Sequence, residues 1–150
     1  MSTIMRKVNI LSRAEGVFRT DRLKGSSLNA CHHSYILAVT GHPGMSQDEL
    51  ARHICTNKSG VTRHLAYLED HGYVRRVPSE YDRRVMLVYP TEKAMDVLPD
   101  VIDIAREWDS FLKAAFTAEE AELLDSLLMR AADRAGEFME RRQTSGENDT

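Results

Sequence analysis

Cysteine is almost missing from this 150-residue chain. Cys31 and Cys55 are the only two, and they form no CxxC, so a disulfide scaffold is excluded. They read as small packing residues in a reducing compartment. No apolar run approaches the ~20 residues of a membrane span. The N-terminal MSTIMRKVNILSRAEG carries charges where a signal peptide needs its apolar stretch, so a cytoplasmic protein without a membrane partner is expected. Catalytic signatures are absent too. There is no GxSxG, P-loop, GxGxxG or HExxH, and no cluster of catalytic carboxylates, so neither an enzyme nor a cofactor is expected. Internal repeats and low-complexity segments are also lacking.

An overall positive charge is lacking as well, since the formal net charge is −3. Its distribution is uneven. Residues 51–90 carry seven Lys/Arg against four Asp/Glu, whereas residues 100–150 carry six against thirteen. Charges act on a polyanion only within about a Debye length, so a basic middle can present one face to DNA despite an acidic remainder. With 42% hydrophobic and 29% charged residues, the chain reads as a folded globular protein of one domain.

The apolar spacing organises that domain. Ile4, Val8, Leu11 and Phe18 share one face of a helix over about 4–22, broken at Lys24-Gly25-Ser26-Ser27. A second helix is expected from about Asn29, a candidate N-cap, to Thr40, ending at Gly41-His42-Pro43-Gly44. Ser46 to Glu49 matches the capping box S-x-x-E and opens a short helix with Leu50, Ala51 and Ile54 on its apolar face. After Thr56-Asn57, either of which can cap, another helix runs from about Lys58 to His71, with Gly72 as its stop. The period then changes. Tyr73–Val77 and Val85–Tyr89 read as two strands of one antiparallel hairpin around the polar loop Pro78–Arg84. Thr91 caps a helix to about Phe116, striped by Val97, Leu98, Val101, Ile104, Ala105, Trp108, Leu112 and Ala115. Pro99 is expected to kink it or cost stability. Thr117 to Glu120 forms a second capping box, and the last helix reaches about Arg142 with Leu124, Leu127, Leu128, Ala131, Ala135 and Phe138 on one side.

The order short helix, turn, helix, hairpin is the informative feature. In a helix-turn-helix the second helix enters the DNA major groove, and a following hairpin flanks it as a wing. At about 100° per residue, Val61, Leu65 and Leu68 fall on the inner side of the Lys58–His71 helix. Ser59, Thr62, Arg63 and Ala66 fall opposite, with no acidic residue on that face before Asp70. Arg63 can reach guanine, and Ser59 and Thr62 can contact bases or phosphates. Lys58 and the free amides at the helix start can hold a phosphate. At the hairpin tip, Arg83 and Arg84 suit the negative potential of a narrow minor groove. Asp82 beside them is expected to orient an arginine through an ion pair.

The stretch Met45–Val101 resembles the winged-helix core of the MarR family. The matching pieces are SQDELARHI, NKSGVTRHLAYLEDHGYVRR and DRRVMLVYPTEKA, alike in order and spacing as well as in letters. The resemblance implies a mainly α fold with a small antiparallel β-hairpin wing: a winged helix-turn-helix with N- and C-terminal dimerisation helices. Its parts are a single domain over 1–142, a core at about 45–90, dimerisation helices at about 3–23 and 92–142, and a disordered tail at 143–150. It further implies a homodimer on a near-palindromic operator, usually a repressor released by a small ligand or by oxidation. By the same resemblance Ser59, Thr62 and Arg63 fall at recognition-helix contacts, and Asp82 and Arg84 at wing positions. Two residues depart from the family pattern. Gly60 stands where a larger residue is usual, costing up to ~1 kcal/mol of helix stability. His64 stands where an apolar residue is commoner, and is read as a flank residue with a phosphate contact.

Three triggers stay open. A small aromatic or phenolic effector could be lined by His32, His33, Tyr35, Arg106 and Trp108. Oxidation of Cys31, at a helix start where the dipole lowers a thiol pKa, is a second. Metal binding by Cys31, His32, His33 and His42 is the third, although all six histidines lie between positions 32 and 71 and none is in the helix after the wing. No resident metal is expected. The alternative to a DNA-binding regulator is a winged-helix module for protein–protein contact without DNA.

Overall fold

The computed structural model describes residues 3–146. The chain divides into two compact units, the first ending at Trp108 and the second beginning at Asp109.

The first unit opens with helix α1 (Ile4–Arg22), capped by Thr3, whose hydroxyl accepts from the amide of Arg6. No residue of α1 is buried. Helix α2 (His32–Gly41) starts three residues later than expected. Asn29 still does the capping work: its side-chain oxygen accepts from the amides of Cys31 (3.0 Å) and His32 (3.3 Å), closing a turn that leads into the helix.

A two-residue strand, β1 (Met45–Ser46), comes next, and helix α3 (Gln47–His53) follows it directly. The capping box is complete. The Ser46 hydroxyl accepts from the Glu49 amide, and the Glu49 carboxylate accepts from the Ser46 amide at 2.8 Å. Helix α4 (Lys58–Asp70) is capped by Asn57, which accepts from the amide of Gly60 at 2.6 Å. It ends in a Schellman motif. Gly72 takes φ +77°, its amide donates to the Glu69 carbonyl, and the Tyr73 amide donates to that of Leu68.

Strands β2 (Val74–Pro78) and β3 (Met86–Pro90) form the expected hairpin, paired antiparallel from Val74 opposite Pro90 to Pro78 opposite Met86. The sheet has a third member, which corrects the two-stranded reading. β1 pairs with the other edge of β3, giving the order β1-β3-β2. Two residues are too few to show a strand period. Gly44 prepares this pairing with φ +86°, and a Cβ there would stand 3.1 Å from the Tyr89 hydroxyl.

The core lies among α2, α3, α4 and the sheet. Val61, Leu65 and Leu68 of α4 are fully buried, together with Ile36, Val39, Leu50 and Val88. Helix α5 (Glu92–Lys113) adds Ala94, Val101 and Ile104. Its start is fixed by Thr91, whose hydroxyl reaches the Gly72 carbonyl at 2.6 Å. The helix runs unbroken through Pro99. The carbonyl that loses its i+4 donor belongs to Met95, whose side chain is half exposed.

The second unit holds the end of α5 and helix α6 (Ala118–Gly146). The second capping box is present: the Thr117 amide donates to Glu120 at 2.9 Å, and the Glu120 amide to the Thr117 hydroxyl at 3.2 Å. The helix continues past Arg142, so residues 143–146 are helical where a tail was expected, and 147–150 lie outside the described residues.

Leu65→Ala should cost about 2–5 kcal/mol of stability, because Leu65 is fully buried and its neighbours cannot collapse into the space. A shift of the urea midpoint at unchanged slope is the measurement that checks this.

Candidate nucleic-acid interface

Helices α3 and α4 are joined by the four residues Ile54–Asn57. Cys55 turns the chain with φ +53°, in the left-handed region, and the Thr56 amide donates to the Ala51 carbonyl at 2.9 Å. This tight turn lets α4 bury Val61, Leu65 and Leu68 while its other side faces out. Ser59, Thr62 and Arg63 are exposed on that outer side. The Arg63 guanidinium has no carboxylate partner among the described residues. The Ser59 hydroxyl donates to Asn57 (2.9 Å) and the Thr62 hydroxyl to the Lys58 carbonyl (3.1 Å), so both side chains are held near the helix surface. Lys58 pairs with Asp48 at 2.9 Å, an exposed contact of little strength.

The two departures acquire physical reasons. A Cβ at Gly60 would stand 3.0 Å from the Asn57 side-chain oxygen, the same atom that caps the helix, so a larger residue would press on the cap. His64 is not on the outer face with Arg63. It is half buried, turned toward α2, with Nδ1 3.3 Å from Nε2 of His32 and its ring against Tyr35.

At the wing tip Asp82, Arg83 and Arg84 are all exposed. Asp82 differs from its expected role. Its carboxylate accepts from the backbone amide of Arg84 at 3.0 Å and its carbonyl from the Val85 amide at 2.9 Å, so it shapes the turn instead of pairing with a guanidinium. Tyr81, which no pattern singled out, is wholly exposed beside these arginines.

The wing is tied to α4 by a residue pair that periodicity could not reveal. Arg76 of β2 donates its amide to Glu69 (2.8 Å) and its guanidinium to the same carboxylate (2.7 and 2.9 Å). A further guanidinium nitrogen reaches Gln47 of α3 at 3.4 Å. Partial burial raises the Glu69 pKa, but the side-chain bond, backbone bond and charge of Arg76 together outweigh it, and the net shift is downward. Arg75, on the opposite face of the strand, lies over the Tyr89 ring at 4.6 Å.

The five residues expected to line an effector pocket are dispersed. His32 and Tyr35 pack with His64 and Tyr67. His33 is buried, and its Nε2 donates to the Val101 carbonyl at 2.8 Å, leaving Nδ1 without a partner. Burial first, then the charge of Arg19, lowers its pKa. Arg106 is exposed and pairs with Asp103 at 3.5 Å, while Trp108 lies against Phe18 with centroids 5.5 Å apart. A cavity of about 470 Å³ instead opens beside the middle of α5 and the segment that follows α1. Apolar Leu23, Leu28, Val97, Val101 and Ile104 line it together with Lys24, Ser26, Asp100, Asp103 and the ion pair of Arg22 with Glu107, and none of the five is on its walls. Among the described residues no group of three or more His, Cys, Asp or Glu side chains is placed to hold a metal ion, and Cys31, His32, His33 and His42 form no such group.

A helix-turn-helix whose second helix presents a polar outer face, flanked by a hairpin with an arginine tip, defines a winged helix-turn-helix protein. Residues 26–85 match the model of the MarR family. Over 130 residues the chain is 26% identical to the uncharacterized HTH-type transcriptional regulator YybA of Bacillus subtilis, covering 87% of each. Over 93 residues it is 30% identical to the transcriptional regulator HosA of Escherichia coli, covering 62% of this chain and 69% of HosA. It superposes with TM-score 0.85 on a putative MarR family regulator from Listeria monocytogenes crystallised with a 26mer DNA, at 20% identity and 91% coverage of both chains. The chain belongs to the MarR family of transcription regulators, a family of non-enzymes.

Glu69→Gln should lower stability at pH 7 by about 1 kcal/mol, a value already reduced for the partial exposure of the carboxylate. Because the Glu69 pKa is depressed by folding, its contribution is complete above the ordinary carboxylate value. It is lost as pH falls through the folded one. The gap between wild-type and variant urea midpoints should therefore close from pH 5 toward pH 3.

Proposed function

We propose that the chain is a sequence-specific double-stranded-DNA-binding repressor of the cytoplasm, acting as a homodimer on a near-palindromic operator. The observation that carries this reading is the outer face of α4, where Ser59, Thr62 and Arg63 are exposed with no carboxylate among them. Side chains of this kind are what a major-groove helix needs, since Arg pairs with guanine and short hydroxyls allow close approach. The exposed guanidinium groups of Arg83 and Arg84, without an ion pair among the described residues, add a second, flanking cationic element suited to the minor groove. Lys58 and the amides of the first α4 turn supply phosphate contacts. Gly60 allows a close backbone approach, while His64 acts from behind the face.

Apolar side chains left uncovered within each unit support dimerisation. Ile4, Val8, Ile10 and Leu11 are exposed on α1 of the first unit, and Leu123, Leu127, Leu128 and Phe138 on α6 of the second. A soluble monomer rarely leaves so much apolar surface uncovered. We take the single-domain reading, with dimerisation helices at about 3–23 and 92–142, to be completed by a second copy. Response to a small organic effector is supported by the 470 Å³ cavity, which falls in the size range of ligand pockets.

The deciding experiment is duplex affinity against salt, using fragments selected from a random pool. A regulator should lose affinity steeply, with a slope that tracks the number of phosphates contacted. Binding indifferent to salt would sink the reading, and sedimentation at the mass of one chain would remove the dimer. Arg63→Ala should relax discrimination at one position per half-site by roughly 1–3 kcal/mol. Arg84→Ala should weaken all duplexes with less effect on sequence choice. Intact affinity at moderate salt would place the wing away from the DNA.

A further inference from the structure

Helices α2 and α4 meet through a pair of histidines. His32, in the first turn of α2, is 1% exposed. Its Nδ1 accepts from the backbone amide of Asn29 at 3.3 Å, which puts the ring proton on Nε2. That Nε2 lies 3.3 Å from Nδ1 of His64 on α4, so His32 donates and His64 accepts. The rings stand edge to face, with centroids 5.4 Å apart. Tyr67 stacks on His32 at 4.7 Å and His71 on Tyr67 at 3.9 Å, while Tyr35 packs on His64 at 5.3 Å. The Tyr67 hydroxyl donates to the Ser27 carbonyl at 2.8 Å, anchoring the stack to the loop before α2.

Every ring nitrogen at this contact is committed to the neutral form. A proton added to Nδ1 of His64 would face the N–H of His32, and one added to Nδ1 of His32 would face the Asn29 amide. Among the described residues, the charged and titratable groups facing the pair are Tyr35 from α2, Arg63 and Tyr67 from α4, and His71 just past the end of α4, with Cys31, just before α2, acting on Tyr35. None is a carboxylate, so nothing offsets an added positive charge. His33, next in sequence, turns away to the Val101 carbonyl. The amino-terminal end of α2 also opposes a cation through its dipole. Accordingly burial, then His64 and His71, lower the pKa of His32 to about 4, and burial followed by Arg63 lowers that of His64.

We propose that His32 and His64 are positioning residues whose shared hydrogen bond seats α4 on α2 only while both rings are neutral, so that acidification unseats the helix and weakens DNA binding. The binding half of this statement rests on the DNA-binding reading above. The sign follows from linkage. Freed rings titrate near the ordinary value of about 6.5, and the seated ones lower. As pH falls below about 6.5, protons therefore favour the unseated state, by up to tenfold per histidine per pH unit, until the seated rings themselves protonate. Above that range no proton is taken up and the seat is intact.

The test compares the full-length wild type with His64→Asn, whose side-chain oxygen can still accept from His32 but cannot be protonated. Affinity for a duplex selected from a random pool at pH 7.5 is measured at pH 7.5 and 5.5 at one salt concentration. The wild type should lose several-fold, up to about tenfold, more affinity than the variant across that interval; equal losses would overturn the proposal. Should neither protein retain any duplex at either pH, the DNA-binding reading fails by itself. The seat is then judged without DNA: the wild type's urea midpoint should fall more between pH 7.5 and 5.5 than the variant's, and parallel curves would overturn it. Should the variant not fold, imidazole nitrogen shifts of the wild type decide. His32 and His64 should take up protons together, below the ordinary value of about 6.5 and in step with shifts of the α2 and α4 amides, and rings still neutral at pH 5.5 would end the proposal.

Discussion

One constraint governs the rest of this molecule: α4 must bury Val61, Leu65 and Leu68. These three side chains are sealed from solvent together with Ile36, Leu50 and Val88, so α2, α3 and β3 all close on the same helix face. Burying a side chain of this size contributes roughly 1.5–3 kcal/mol. Rotating α4 to hide Ser59, Thr62 or Arg63 would forfeit that burial and strand a guanidinium in the core. The direction in which the polar face points is therefore a by-product of core packing. The caps serve the same end, with Asn57 starting the helix and Gly72 stopping it where β2 must begin.

The wing is placed by the same logic through polar contacts. Arg76 holds Glu69 of α4 with backbone amide and guanidinium and reaches Gln47 of α3, so three elements share one bonded junction. Both faces of β2 are employed: Arg76 turns inward to this junction and Arg75 outward over Tyr89. The loop at the far end is shaped by Asp82, whose carboxylate goes to a backbone amide. Among the described residues neither Arg83 nor Arg84 is ion-paired, which matters in a chain of net charge −3. The acidic residues are concentrated after position 100, away in sequence from the cationic tip.

Much of this was legible from residue order. Both capping boxes, the α4 cap, the hairpin and the inner and outer faces of α4 follow from local chemistry with fixed offsets, and the structure contains each of them. Local rules failed where a contact spans distant residues. β1 is two residues long and exists only because β3 runs beside it. His64 looked like a flank residue because its partner, His32, lies in another helix. The five residues expected around an effector share chemistry but no cavity, since pocket walls depend on which helices meet.

Sequence alone determined the helices, the two strands of the hairpin, the caps of α3, α4 and α6 and which face of α4 is apolar, because these depend on neighbours within about five positions along the chain. Only the tertiary structure decided the third strand, the Glu69–Arg76 junction and the inward seat of His64. Those are set by which surfaces pack together to exclude water, and no periodicity in the chain encodes the identity of a partner far away in sequence.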